Sequence, residues 1–283
     1  MVRVQRHTIQ LQQVKLFYLD THTEGKPVIL CLHGRYGRAE TWTEFMQRYG
    51  EDYRIIAQDH RGHGLSDKPL GRYTAEELAE DAHQLLLALH ISAAIVIGHS
   101  LGGQVAAYLT TMYPEQVQAL GILDKAAFGP DVRVEIPLEQ LPDVDPVTAD
   151  WPLPFASRTE AEQYLRATQD TEISCQYFMK SLMETEEGVT FLFSRQAMAA
   201  NILHNVSWYH ILSQLDCPTL LIRAKDSESL PDEEWEKMTT LVPHALTYEM
   251  TTSDHNVHLS EPELFYGYVD EFLTQVHRSI DSK

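Results

Sequence analysis

Short apolar runs alternate along the chain with longer stretches in which apolar residues recur every three or four positions. That is the pattern of a parallel sheet wrapped by crossover helices. The runs at 27–32 (PVILCL), 54–57 (RIIA), 93–97 (AAIVI), 120–123 (LGIL) and 218–222 (PTLLI) are almost wholly apolar, as strands covered on both faces must be. Residues 2–10 and 14–19 alternate polar and apolar instead. They read as a hairpin at a half-exposed sheet edge.

Between the strands, Thr74-Ala-Glu-Glu77 forms a capping-box sequence, and Leu78, Ala82, Leu85, Leu86 and Leu89 follow at helical spacing. A helix over 75–89 is predicted. Ser260-Glu-Pro-Glu263 should cap a closing helix in the same way, with Phe265, Tyr268, Val269, Phe272 and Val276 on one face and its proline in the tolerated first turn. The alternation breaks over 128–213. No clear buried strand occurs there, Pro142, Pro146, Pro152 and Pro154 crowd its first third, and helix-like segments rich in Tyr, Phe and Met follow. This region reads as a helical insertion that divides an α/β core into residues 1–127 and 214–283.

The chain has 283 residues, 43% of them hydrophobic, enough for a sizeable core. Its 22 Lys and Arg against 41 Asp and Glu leave a net charge of −19. Such a balance repels phosphate backbones and anionic membrane surfaces, so neither nucleic acid nor membrane is expected as a partner. Cys31, Cys175 and Cys217 are odd in number and widely spaced, which fits reduced thiols in a cytoplasmic protein. The N-terminal MVRVQRHTIQLQQ has no apolar signal core, and no run approaches the ~18 apolar residues of a membrane helix.

The chemistry concentrates at 93–107, AAIVIGHSLGGQVAA, where an apolar run enters Gly98-His-Ser-Leu-Gly102 and a helix pattern begins. In G-x-S-x-G a sharp strand-to-helix turn strains the central residue, and the glycines let neighbouring chain approach without clash. Ser100 would then stand at the carboxyl end of the sheet, at a helix N-terminus that favours developing negative charge. Together with LCLHG (30–34), DHRGHGLSDKP (59–69) and HNVHLSEPELF (255–265), spaced in the expected order, this chain resembles the α/β-hydrolase superfamily. The resemblance covers most of the chain. It implies a mostly parallel eight-stranded sheet, a helical cap inserted after the sixth strand, and a cofactor-free enzyme.

The resemblance also implies site residues. The oxyanion hole would come from the backbone N–H groups of Leu101 and Arg35; the Arg35 side chain is expected at the surface, with an inward orientation as the alternative. The acid usually follows the seventh strand, where Asp226 and Glu228 lie, and Asp226 is preferred by position and residue type. Asp124 is a third candidate, because some relatives carry the acid after the sixth strand. His255 is placed as the base and His258 as a loop support. A metal at His255/His258 or His60/His63 would need further ligands, and none is expected. Asp254 departs from the family's usual glycine. Its charge would either act on His255 or simply face solvent, the second being the ordinary outcome.

Serine paired with histidine means acyl chemistry, whereas the superfamily's dehalogenases and epoxide hydrolases carry aspartate as nucleophile. A small to medium carboxylic ester or lactone is the expected substrate. Carbon–carbon hydrolysis of a β-diketone, thioester hydrolysis, lyase or perhydrolase chemistry and non-hydrolytic ligand reception remain alternatives on the same fold. The aromatic and Met residues of the insertion, such as Tyr177, Phe178, Phe191 and Trp208, are expected mostly to pack the insertion onto the core.

Overall fold

In a computed structural model that describes residues 2–281, the five apolar runs all form strands. The ten strands among the described residues are β1 (Gln5–Gln10), β2 (Lys15–Asp20), β3 (Val28–Leu32), β4 (Arg54–Gln58), β5 (Ala94–His99), β6 (Val117–Leu123), β7 (Leu182–Thr185), β8 (Gly188–Phe191), β9 (Thr219–Arg223) and β10 (Leu246–Glu249). The α-helices between and after them are α1 (Thr43–Tyr49), α2 (Ala75–Ala88), α3 (Leu101–Met112), α4 (Arg158–Thr168), α5 (Glu172–Met179), α6 (Arg195–Leu203), α7 (Tyr209–Leu212), α8 (Asp232–Leu241), α9 (Val257–Ser260) and α10 (Pro262–Asp281). Eight strands join one sheet in the order β1-β2-β4-β3-β5-β6-β9-β10. β2 pairs antiparallel with both β1 and β4, and the remaining neighbours are parallel. No described helix is long and apolar enough to cross a membrane.

The two-residue period of each strand splits its side chains between two cores. Leu30, Leu32, Val96 and Ile122 meet Leu78 and Leu85 of α2, Val105 of α3 and Met238 of α8. Ile29, Cys31, Ile95, Ile97 and Ile222 meet Met46 of α1 and Phe265, Val269 and Phe272 of α10. The predicted α2 begins at its capping box: the Glu77 N–H donates to Thr74 Oγ1 (3.2 Å) and the Thr74 N–H donates to Glu77 Oε2 (3.3 Å).

Several expectations are revised. β1 alternates half-buried and exposed positions as an edge strand should, but β2 is buried over all but its first residue, because it pairs on both sides and feeds Phe17 and Leu19 to one core and Leu16 and Tyr18 to the other. The chain between β6 and β9 carries α4–α7 but also the hairpin β7/β8, whose first strand is exposed after Leu182 and so lacks the signal of a buried strand. The Ser260 hydroxyl does not cap α10. It lies within α9 and donates back to the Val257 carbonyl (3.3 Å), while the Glu261 carboxylate accepts the Thr251 and Thr252 N–H groups (2.8 and 3.0 Å).

Asp254 does not face solvent either, being only 5% exposed. The segment between β6 and β9 folds over it and supplies a partner: Thr171, the N-cap of α5, donates its hydroxyl to Asp254 Oδ2 while accepting the Ser174 N–H (3.0 Å). Asp254 Oδ1 accepts the Asn256 N–H (2.8 Å) and its side-chain amide (3.1 Å). α5 is thereby tied to the loop before α9. Since a hydrogen bond to a charged group contributes about 1.5–3 kcal/mol, Asp254→Ala and Thr171→Val should each lower the urea-unfolding free energy measurably. The double variant should lose much less than the sum, as coupled partners do; strictly additive losses would show that the two residues do not hold one another.

Candidate active site

The turn between β5 and α3 has the geometry that its sequence requires. Ser100 sits at φ 51°, ψ −118°, a conformation that a residue with a side chain adopts at a cost of about 1–3 kcal/mol. Its N–H donates to the Leu123 carbonyl on β6 (2.8 Å), which fixes the turn against the sheet. A Cβ on Gly98 would run into the Gly102 carbonyl, and one on Gly102 into the Leu32 carbonyl on β3. Both glycines are therefore demanded by backbone approach. The Ser100 side chain is left half-buried at the wall of a cavity of about 350 Å³.

A second wall is the turn after β3. Here the Gly34 carbonyl accepts three hydrogen bonds: from His33 Nδ1 (2.8 Å), the Gly37 N–H (3.1 Å) and the Tyr177 hydroxyl of α5 (3.1 Å). His33 Nε2 in turn accepts the His60 N–H (3.0 Å), and His60 Nε2 donates to the His33 carbonyl (3.1 Å). These rings are buried, and burial pushes His33 well down and His60 down to about 4, so both knit backbone as neutral groups. His63 is likewise buried and pushed well down, with Nδ1 donating to the Arg61 carbonyl (3.1 Å).

His255 and Ser100 line the same cavity. Among the described residues no hydrogen bond joins them in this geometry, as is common before a substrate draws such a pair together. The carboxylate facing His255 is Asp124, at the end of β6: His255 Nδ1 lies 2.6 Å from Asp124 Oδ2. Because a carboxylate only accepts, Nδ1 carries the proton and the neutral ring keeps its lone pair on Nε2. Asp124 is fully buried and also accepts the Ala224 N–H and the Ser227 hydroxyl (both 2.9 Å). The preferred candidate Asp226 is displaced from this position: it and Glu228 are exposed, because the turn after β9, with Asp226 at φ 50°, sends Ser227 inward instead.

Three further residues pack around His255 and its loop, two of them, His99 and Asn256, not singled out in the sequence. His99, inside the nucleophile motif, donates its Nε2–H to the His255 carbonyl (2.8 Å). Only its place next to Ser100 hinted at a role. His258 is buried between Trp42 and His99, with ring centroids 4.7 and 4.6 Å away. Burial, the Lys180 charge and His255 push it down to about 3, so it packs as a neutral ring in support of the loop. Asn256 closes the loop onto α5 through Ser174 Oγ (3.3 Å).

Tyr177 and Phe178 of α5 line the cavity together with Tyr36, Gln169, Ser174 and Ser229, whereas Phe155, Phe191, Met198 and Trp208 are packed into the core. The Arg35 side chain turns inward rather than to the surface. It lines the cavity, as does Lys125, because Asn201 of α6 accepts its Nε–H (3.0 Å).

Comparison with known proteins agrees with this architecture. Residues 27–262 match the family described as the alpha/beta hydrolase fold. A serine hydrolase-like protein of Danio rerio is 26% identical over 269 residues, spanning 89% of this chain and 82% of its own length. Among solved structures, E-2-(acetamidomethylene)succinate hydrolase superimposes with a TM-score of 0.80 at 25% identity, covering 96% of this chain and 100% of that one. The enol-lactonase from Burkholderia xenovorans LB400 does so with a TM-score of 0.73 at 18% identity, covering 95% and 100%. With the sheet order, the strained serine turn and the match over 27–262 all in agreement, the chain belongs to the α/β-hydrolase fold family and is an enzyme of that family.

Proposed function

We propose that the protein hydrolyses a small to medium carboxylic ester or lactone through an acyl-enzyme on Ser100, with His255 as general base and acid and Asp124 as the orienting acid. Residues 128–213 act in this reading as a cap over a core of residues 1–127 and 214–283. The observation that carries it is the 2.6 Å bond from His255 to the buried Asp124. It fixes the tautomer whose free nitrogen can take a proton from a serine on the same cavity wall. The likeness to a serine hydrolase-like protein supports the same chemistry.

In the first half-reaction Ser100 Oγ attacks the carbonyl carbon as His255 Nε2 removes its proton. The carbonyl oxygen becomes anionic and requires two N–H donors. Peptide planarity supports Arg35 and Leu101 in that role. The Gly34 carbonyl is pinned by three donors, so the Arg35 N–H of the same trans peptide points the opposite way. The Ser100 carbonyl is likewise held into α3 by the Gly103 N–H (2.9 Å) and Gln104 N–H (3.3 Å), which turns the Leu101 N–H out of the helix end. Collapse of the intermediate expels the alcohol oxygen, which takes the proton from His255. Water, deprotonated by the same nitrogen, then attacks the acyl-enzyme; the acyl C–Oγ bond breaks, Ser100 Oγ takes the proton back from His255, and the acid is released.

A fluorophosphonate probe should label the protein at Ser100, with labelling lost in Ser100→Ala, and short-chain p-nitrophenyl esters should be turned over repeatedly. Labelling that survives Ser100→Ala would sink the hydrolase reading, and labelling without turnover would favour a ligand receptor. Loss of the orienting acid in a serine triad typically lowers kcat by about 10⁴. Asp124→Asn should therefore fall by about three to four orders of magnitude, while Asp226→Asn and Glu228→Gln stay within about threefold of the parent. The reverse ranking would return the acid to the loop after β9.

A further inference from the structure

Cations are scarce in this chain, 22 Lys and Arg against 41 Asp and Glu, yet two of them, Arg35 and Lys125, line the cavity that holds Ser100, and among the described residues no carboxylate lines it. Two acids related to this pair, one by chain position and one by charge, hold other donors. Asp124, adjacent to Lys125 in the chain, spends its oxygens on His255, Ala224 and Ser227. Asp145, whose charge acts on Arg35, accepts the Tyr36 hydroxyl (2.9 Å), the Val147 and Thr148 N–H groups (3.0 and 3.1 Å) and the Thr148 hydroxyl (2.5 Å).

Lys125 forms no ion pair or hydrogen bond among the described residues. Burial and the Arg35 charge push its ammonium down to about 8. An uncompensated cation in a half-buried wall is costly and is retained where something completes it. Arg35 is fixed in an orientation that suits anion binding. Its Nε–H is anchored on Asn201 Oδ1, and the Asn201 amide is itself oriented by donating to the Tyr73 carbonyl (2.8 Å). The guanidinium also meets the Tyr36 side chain, and its remaining N–H groups are the donors open to an anion.

Building on the hydrolase reading, we propose that the substrate carries a carboxylate besides its scissile acyl group, and that Lys125 and the Arg35 side chain bind it. The cavity of about 350 Å³ admits a compound of that size, at the small end of ligand pockets. Lys125 supplies a point charge and Arg35 a directional fork.

The test compares p-nitrophenyl hydrogen glutarate with p-nitrophenyl valerate, which differ by a terminal carboxylate in place of a methyl group. The wild-type kcat/KM ratio should favour the glutarate ester by at least about tenfold, the worth of ~1.4 kcal/mol from a charge-assisted contact. Lys125→Met should bring the ratio towards one and Lys125→Glu should invert it. A ratio near one in the wild type, or one that Lys125→Met leaves unchanged, overturns the proposal while ester turnover itself upholds the hydrolase reading. Should neither ester turn over, calorimetry with glutarate decides independently of chemistry. Binding to Ser100→Ala protein that weakens at least about tenfold with Lys125→Met added supports the carboxylate site. Equal binding, no binding, or tighter binding of inorganic phosphate overturns it.

Discussion

One buried carboxylate holds together segments that are far apart in the chain. Asp124 ends β6 in the left-handed region, at φ 48°, and receives donors from the end of β9 (Ala224), from the following turn (Ser227) and from the loop before α9 (His255). A buried carboxylate short of its partners costs several kcal/mol, so these segments settle together or not at all. The packing of two parallel strand ends and the position of the proposed base are in this sense one constraint. Ser227 extends it by accepting the Leu230 N–H (3.1 Å), which orders the turn that carries Asp226 and Glu228 outward.

α5 plays the corresponding part on the other side of the cavity. Its N-cap Thr171 bonds Asp254 of the base loop, its Ser174 bonds Asn256, and its Tyr177 hydroxyl fixes the Gly34 carbonyl beside the proposed oxyanion site. Tyr177 and Phe178 then form cavity wall. An eight-residue helix thus touches both the turn that would stabilise negative charge and the loop that would move the proton. Displacement of α5 would disturb both at once, so cavity shape and catalytic geometry are mechanically linked.

Much of this was legible in the sequence, for identifiable reasons. Fully buried strands show as continuous apolar runs, so 27–32, 54–57, 93–97, 120–123 and 218–222 located the sheet, and Thr74 with Glu77 located α2. The strained serine was legible because Gly98 and Gly102 are backbone requirements that no other residue meets. The hairpin β7/β8 was not, since its exposed first strand carries Glu184 and its turn Glu186 and Glu187. Nor was the carboxylate facing His255. Asp124 directly follows β6 and Asp226 lies three residues past the end of the adjacent parallel strand β9, both at positive φ; what separates them is which turn the loop from Asp254 to Asn256 crosses, a long-range fact that strand-end position does not show. The partners of Asp254 and Arg35 were hidden for the same reason, because Thr171 and Asn201 lie 83 and 166 residues away in sequence.

The electrostatics of the cavity follow from what surrounds it. His33, His60, His63, His99 and His258 are buried and pushed down by desolvation, so this aromatic shell carries hydrogen bonds and packing without charge. The charge near Ser100 is therefore set by Asp124 behind His255 and by Arg35 and Lys125 at the wall. That arrangement suits the proposed reaction and substrate: the carboxylate stabilises an imidazolium, while the wall cations are left to meet the substrate's own anionic group. In a chain with a net charge of −19, a locally cationic cavity is an exception to the surrounding field. Asp145 and Asp124 direct their oxygens to other donors and form no ion pair with either wall cation among the described residues.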